Sequence, residues 1–552
     1  MNTFNERFVK EDYDSSGVLS KFEISCNDNF NYGYDVIDAI AAEEPERTAL
    51  VWCNDKGEKH EFTYKELSVL SNRVANMLLD KGVKRGDKVL CVLKRHYQAW
   101  LVTFALCKIG AVLIPATNQL LKKDFVYRFA AADVSFVIAT SDDNVADHIE
   151  QSLEEYKGIK EKFIVRGERE GWVSFDSEYK NYPDTLDRIE NMVTDDMLLY
   201  FSSGTTGYPK MVMHSHYYSL AHLVTAKHWH NLDENSLHLT ISESGWGKFM
   251  WGKMYGQFLM KARVFAFDFD RFDAKKILAK IQEYKITSLC APPTMFRFFM
   301  QEDMSQYDLS SLRYATIAGE ALSPEVFNKW YEYTGIELME GFGQTETVLC
   351  VANLRGMKPK PGSMGKPVPL YDIDIFNENG EPTAEGETGE ICVRTHSDNQ
   401  PGLFKCYYNN PEATASARHD GLYHTGDTAW KDEDGYFWYV GRTDDLIKAS
   451  GYRIGPFEIE SVLMEHPAVL EVAVTGVKDP IRGQVVKATI VLTQQYKGKG
   501  TPELVKELQT HVKNATAPYK YPRVIEFVDE LPKTISGKIR RTEIRDRDNK
   551  KS

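Results

Sequence analysis

At 552 residues the chain is long enough for three or four folding units of about 150 residues each. Hydrophobic residues make up 42% and charged residues 27%, and no run of about 18 apolar residues occurs, so a membrane span is not expected. The formal net charge of −13 argues against general nucleic-acid binding but allows a local basic patch for a phosphorylated ligand.

The N-terminus, MNTFNERFVKEDYDSS, has no apolar h-region and carries acids early, so neither a signal peptide nor a transit peptide is read there. Eight cysteines lie far apart with no C-x-x-C pair, which fits reduced thiols and a cytoplasmic protein. Thr63 and Glu66 form a capping box, and Leu67, Leu70, Val74 and Leu78 share one helical face that Gly82 ends. KVLCVL from Lys88 reads as a buried strand. Helices near Gln98 to Lys108 and Lys123 to Ala132 then alternate with strands at Ala111 to Ile114 and Val134 to Ala139, the pattern of a largely parallel sheet covered by helices.

After the apolar-rich run Met197 to Phe201 comes the stretch Ser202, Ser203, Gly204, Thr205, Thr206, Gly207, Tyr208, Pro209, Lys210. Glycines let the main chain approach a phosphate, hydroxyls and successive N–H groups can bind its oxygens, and Lys210 adds a mobile charge. The spacing is not G-x-x-x-x-G-K-[ST], so a Walker-type NTPase loses its main support. A plain Gly/Ser turn is the competing reading. His214 and His216 lack a third ligand nearby in sequence and are read as structural.

A second α/β series follows: a helix near Ala274 to Tyr284, apolar ITSLCAPP, a helix after Thr294, a strand at Tyr314 to Ala318 and a helix after Ser323. Gly319-Glu320-Ala321 follows that strand, and Glu340-Gly341-Phe342-Gly343-Gln344-Thr345-Glu346-Thr347 is read as a second turn. Both are expected to face the phosphate loop, because ligands of such sheets bind at the carboxyl ends of strands. Phe342, flanked by glycines, can lie on a purine, and Glu346 beside Thr345 offers oxygen ligands to magnesium. From Lys360 short strands and turns predict a small antiparallel sheet or barrel. In it Asp427 can accept from a ribose diol, with Arg442 fifteen residues on. The polar segment RTDDLIKASGYRIG is read as a hinge; it holds a glycine loop and Arg453, a bidentate phosphate donor. Lys538 ends a Ser-Gly turn that can swing it into a distant cleft.

In this order, YFSSGTTGYPKMVMHSH, GFGQTET, YHTGDTA, GRTDDLIKASGYRIGPFEIE and PKTISGKIRR resemble the adenylate-forming superfamily over nearly the whole chain. PATNQL with KDFVYR, ISESGWGK, VKDPIRGQVVKA and TAPYKYPRVIEFV are most similar to its medium-chain acyl-CoA synthetases. The resemblance implies an α/β fold: a large N-terminal domain, residues 1–443, of two α/β subdomains plus a small β-barrel, hinged to a small mobile α+β C-terminal domain, residues 444–552. It implies an acyl-CoA synthetase that uses a carboxylic acid, ATP with Mg2+ and coenzyme A; an adenylating ligase that loads a carrier protein is the alternative, disfavoured because no carrier domain follows Lys538. Oligomeric state is not legible, so a homo-oligomer stays open.

By the same resemblance Lys538 holds the carboxylate and neutralises the α-phosphate, while Lys210, Thr206 and magnesium on Glu346 restrain pyrophosphate. Asp444 is the hinge. Ser450, Gly451 and Tyr452 meet the pantetheine arm, and Gln119, Arg482, Tyr521 and Arg523 are CoA contacts. Trp246 and Gly343 belong to the acyl pocket. The acetate-specific relatives have tryptophan at the position of Gly343, so glycine there predicts a longer slot and acids of about four to ten carbons, branched or aryl-substituted ones included. The bulky residues of GWGKFMWGKMYGQF are the counterweight, able to fill the slot in favour of a short branched acid.

Overall fold

The computed structural model describes residues 3–202, 208–320, 322–449, 452–479, 482–517, 519–534 and 538–551, apart from the side chains of residues 453, 550 and 551. The local grammar holds where it was strongest. Thr63 Oγ1 accepts from the Glu66 amide at 3.2 Å while the Glu66 carboxylate takes the Thr63 amide at 2.8 Å, and the helix Tyr64–Asp80 starts there. Two residues past its end Gly82 takes a φ of +90°, which a glycine adopts without strain.

The strands Lys88–Val92, Val112–Pro115 and Val134–Thr140 pair in parallel within an eight-stranded sheet. They are continuously apolar because both sheet faces are covered. The helix Gln98–Ile109 is buried along its whole length, which accounts for a sequence hydrophobic all round rather than on one stripe. Its Lys108 is a buried cation held by Asp38, Ser71 and Asn72 at 2.6–3.0 Å.

The second series forms a nine-stranded sheet whose centre is parallel. One feature departs from a simple tandem: Thr48–Asn54 and Lys59–Thr63, which precede the first series, join the second sheet, with Thr48–Asn54 parallel to Arg263–Asp268. The region from Lys360 forms a five-stranded antiparallel sheet in which Leu422–Lys431 pairs with Gly389–Arg394 and Phe437–Arg442. A last mixed sheet, built on Val469–Asp479 and Gly483–Leu492, packs with helices Pro456–Met464 and Pro502–Ala515 around a hydrophobic cluster of its own. The segment 340–347 is a turn only in its second half. Glu340 to Gly343 end the strand Leu338–Gly343, which pairs antiparallel with Leu349–Ala352, so the reversal falls on residues 344–348.

The first two sheets meet at their strand ends through a partly buried charge cluster. His96 Nδ1 lies 2.6 Å from Asp268, and its Nε2 lies 2.9 Å from Thr140 Oγ1 and 3.4 Å from Asp142. Lys94 binds Asp142 and Asp270 at 2.9 Å, and Arg166 faces Asp268 at 3.8 Å. Burial alone would lower the His96 pKa, but Asp142 and Asp268 outweigh it and hold the ring above its ordinary value. A raised folded-state pKa gives stabilisation that is complete below the ordinary histidine value of about 6.5 and is lost as pH rises through the folded value. Urea unfolding between about pH 6 and pH 9 is expected to show a midpoint that falls with rising pH, and a shallower fall in His96→Gln. Equal slopes in both proteins would contradict the assignment.

Candidate active site

The strand Asp196–Ser202 returns antiparallel as Lys210–Ser215, which sets Ser202 opposite Lys210 at the mouth of the phosphate loop. Ser203, Gly204, Thr205, Thr206 and Gly207 lie outside the described residues, as do Ala321, Ser450, Gly451 and the side chain of Arg453. Tyr208 is exposed and stacks on Tyr127 with ring centroids 4.6 Å apart, while the Tyr127 hydroxyl donates to the Pro209 carbonyl at 3.0 Å.

Tyr407 brings the two charged candidates together. Lys210 Nζ stands 4.6 Å from the centre of its ring, and its hydroxyl donates to Glu346 Oε1 at 2.8 Å. Its short strand pairs with Lys210–Ser215, Tyr407 opposite Val212. Sequence reasoning missed Tyr407, since nothing local marks a tyrosine about 200 residues from Lys210 as its neighbour. His214 Nε2 donates to the Thr345 carbonyl at 2.7 Å, and burial lowers its pKa to about 3, so the ring is a neutral brace beneath the turn. Neither His214 nor His216 belongs to a metal-spaced group. Among the described residues that group is Glu390, Cys392 and His424, where Glu390 takes His424 Nδ1 at 3.0 Å and the Gly426 amide at 2.8 Å and so braces the strand that carries Asp427.

Asp427 is almost fully buried and joins three elements. One carboxylate oxygen accepts from the Tyr439 hydroxyl at 3.0 Å; the other takes the Gln344 side-chain amide and Arg442 Nη1, the latter at 3.3 Å. Burial pushes its carboxyl pKa up, while Arg442, Tyr439 and Gln344 pull the other way. Gln344 is itself held by the Tyr423 hydroxyl at 2.6 Å. Phe342 lies 6.4 Å from Tyr439, between centroids.

The glycines around Phe342 serve close packing. A Cβ on Gly341 would stand 2.6 Å from the Trp229 ring, and one on Gly343 would stand 2.4 Å from Trp251 and 2.5 Å from the Val348 carbonyl. The Trp251 ring, with its Nε1 on the Tyr218 hydroxyl at 3.1 Å, occupies the space a side chain at 343 would take. Trp246 is half-buried and donates to Glu243, which also takes Thr117 Oγ1 at 2.8 Å, two residues before Gln119.

Lys248, from the same GWGK stretch, is half-buried and donates to the Ala318 carbonyl; its ammonium would be 3.2 Å from a Cβ on Gly319, whose φ is +104°. Burial lowers the Lys248 pKa, and the charge of Lys538 adds to that effect. The same ammonium acts on Asp427. Lys538 is tied to Thr534, whose amide donates to the Lys538 carbonyl at 2.7 Å and whose hydroxyl accepts from its amide at 3.1 Å. Glu320 accepts from Thr294 at 2.9 Å. Glu340 is buried, its pKa pushed up to about 8, and one carboxyl oxygen accepts from the Leu322 amide at 3.2 Å.

On the C-terminal sheet Arg523 donates to the Tyr521 hydroxyl at 2.8 Å, the Arg482 amide donates to Asp479 at 2.8 Å, and Tyr452 stacks on Tyr519 at 4.0 Å. No hydrogen bond or ion pair among the described residues joins these to Gln119. Asp444 lies in the turn after Phe437–Arg442, 3.6 Å from Arg442 Nε.

The model of the AMP-binding enzyme family matches residues 37–408, and that of the AMP-binding enzyme C-terminal domain matches residues 458–538. The chain is 41% identical over 532 residues to acyl-coenzyme A synthetase ACSM3, mitochondrial, of Mus musculus, covering 95% of this chain and 91% of that one. It is 42% identical over 524 residues to ACSM5, mitochondrial, of Homo sapiens, covering 94% and 90%. Among solved structures it superposes on the anthranilate CoA ligase AuaEII bound to anthranoyl-AMP with a TM-score of 0.87 at 29% identity, covering 95% and 98%. A benzoate CoA ligase from Burkholderia xenovorans LB400 gives 0.81 at 26% identity, covering 94% and 100%. The chain belongs to the AMP-binding enzyme family and is an ATP-dependent, AMP-forming acid–thiol ligase that makes acyl-CoA through an acyl-adenylate.

Proposed function

We propose that the cleft bounded by Lys210, Glu346, Asp427 and Lys538 activates a short, branched carboxylic acid, and that Lys538 acts in the first half-reaction only. The observation that carries the cleft is Tyr407, whose ring faces Lys210 at 4.6 Å while its hydroxyl holds Glu346 at 2.8 Å, and the electrostatic effect of Lys538 on Asp427 and Lys248 supports the place of that lysine. A carboxylate oxygen attacks the α-phosphorus of ATP, and the bond to the bridging oxygen breaks with departure of pyrophosphate. The Lys538 ammonium offsets the charge on the carboxylate and α-phosphoryl group, and Lys210 restrains the leaving group. The CoA thiol then attacks the acyl carbonyl, loses its proton and displaces AMP, so no protein nucleophile is needed. Asp427 and Gln344 are assigned to the ribose, and Gly319, Glu320, Gly341 and Phe342 to the adenine side.

Glu346, a carboxylate oriented by Tyr407, is a hard oxygen donor suited to magnesium between the phosphates, and Thr206 is the second ligand we assign. We assign the hinge to Asp444, with residues 1–443 and 444–552 as the two bodies, and CoA contacts to Gln119, Ser450, Gly451, Tyr452, Arg482, Tyr521 and Arg523. Eight free cysteines support a reducing compartment, which we take to be the cytosol although the curated relatives above carry a mitochondrial name.

Lys538→Ala is expected to abolish acid-dependent pyrophosphate release yet largely spare thioester formation from supplied acyl-adenylate; equal loss in both, in single turnovers, would sink the separation of roles. Tyr407→Phe, by freeing Glu346, should slow adenylation about 10-fold or more, since hydrogen bonds to charged groups contribute about 1.5–3 kcal/mol. An unchanged dependence of the rate on magnesium concentration would count against it. For the acid, the Trp251 ring predicts 2-methylbutyrate or isobutyrate ahead of hexanoate and octanoate, with the order reversed in Trp251→Ala. Each methylene readmitted is worth about 0.8 kcal/mol, so the kcat/KM ratio should move by about 10- to 100-fold. A parent enzyme that works best on octanoate would refute this choice.

A further inference from the structure

We infer that Arg541 is a positioning residue that makes Lys538 and the hinge move as one piece. This rests on the proposed role of Lys538 in adenylation. Arg541 opens the helix Arg541–Lys551, three residues after that lysine. Its guanidinium forks onto Glu460, with Nε at 3.1 Å and Nη2 at 2.8 Å from Oε1 and Nη2 at 2.6 Å from Oε2. Its third nitrogen, Nη1, lies 3.7 Å from Asp445 Oδ2. Asp445 directly follows Asp444, and its other oxygen takes Arg545, one turn further along the same helix. Glu460 is fixed in turn by the Val474 amide at 2.8 Å. All three side chains are largely withdrawn from solvent.

A single planar donor thus joins the residue after the hinge, the helix Pro456–Met464 and the segment that presents the catalytic lysine. Without it the helix keeps Arg545 on Asp445 and the segment before Lys538 keeps Lys533 on Glu471 at 2.5 Å, but the start of the helix loses its tie to Glu460. Rotation about Asp444 would then set less closely where the Lys538 ammonium arrives. A lysine at 541 keeps the charge facing Glu460, so the buried carboxylate is not orphaned, but an ammonium cannot serve both carboxylates in the plane of the fork.

The test is Arg541→Lys, alone and combined with Lys538→Ala, with Asp445→Asn as an independent disruption of the same joint. Arg541→Lys and Asp445→Asn are each expected to lower kcat for acid-dependent pyrophosphate release about 10-fold while KM for ATP stays within about two-fold and melting stays close to the parent. Thioester formation from supplied acyl-adenylate should change less than about three-fold. Because Arg541 acts through Lys538, the double variant should be no slower than Lys538→Ala alone. Full adenylation in Arg541→Lys, an equal loss in both half-reactions, or an additive double variant each overturns the inference. If Lys538→Ala itself retained adenylation, the reading of Lys538 would fail instead, and that outcome is separately visible in the single variant.

Discussion

The buried carboxylate of Asp427 is the constraint on which the rest of the cleft depends. A charge withdrawn from water is tolerated only when donors surround it, and here the donors come from two separate places: Gln344 from a turn within the second sheet, and Tyr439 and Arg442 from the neighbouring strand. Each donor is drawn into position by the same need. The turn at Gln344 and the small antiparallel sheet, as far as the strand end at Arg442, are therefore registered on one another by a single group. Arg442 also faces Asp444, so the charge that satisfies Asp427 sits beside the residue at which the C-terminal unit is proposed to turn.

Close packing does the corresponding work around Phe342. Gly341 and Gly343 bracket Phe342 because Trp229 and Trp251 lie where their side chains would be. Protein interiors leave few voids, so a glycine deep in a wall usually means that another group has advanced into the space. Trp251 does this from a segment some ninety residues earlier, anchored by a hydrogen bond to Tyr218 rather than by packing alone. Tyr407 plays a similar part on the phosphate side, where one ring presents a face to Lys210 and a hydroxyl to Glu346. In both places an aromatic residue supplied at long range determines what neighbouring motif residues can do.

The charges of the C-terminal unit divide into two kinds. Arg541, Arg545 and Arg547 are spent on Asp445, Glu460 and Glu526 inside that unit, whereas Lys538 is exposed. Of the basic excess near the chain end, eight cations against three acids from Lys533 to Lys551, these three arginines are internal joints. Bidentate arginine suits a joint because its planar fork restricts orientation as well as distance, and a flexible lysine suits the group that must reach a ligand.

The sequence by itself determined what depends on near neighbours and on motif order. The capping box at Thr63 and Glu66, the alternation from Lys88 to Ala139 that makes a parallel sheet, and the five ordered motifs of the AMP-binding enzymes were all legible, because a cap, a period or a glycine loop is a property of a few consecutive residues. Local reading also has a characteristic error, seen where GFGQTET looked like one turn although its first residues complete a strand. What only the tertiary structure decided was which distant side chains share a space. Thr48–Asn54 crosses to the second sheet, Tyr407 bridges Lys210 to Glu346, Trp251 fills the space beside Gly343, and Arg541 joins Glu460 to Asp445. Each of these depends on packing between elements far apart in the chain, where steric exclusion and charge pairing, rather than local propensity, select the partner.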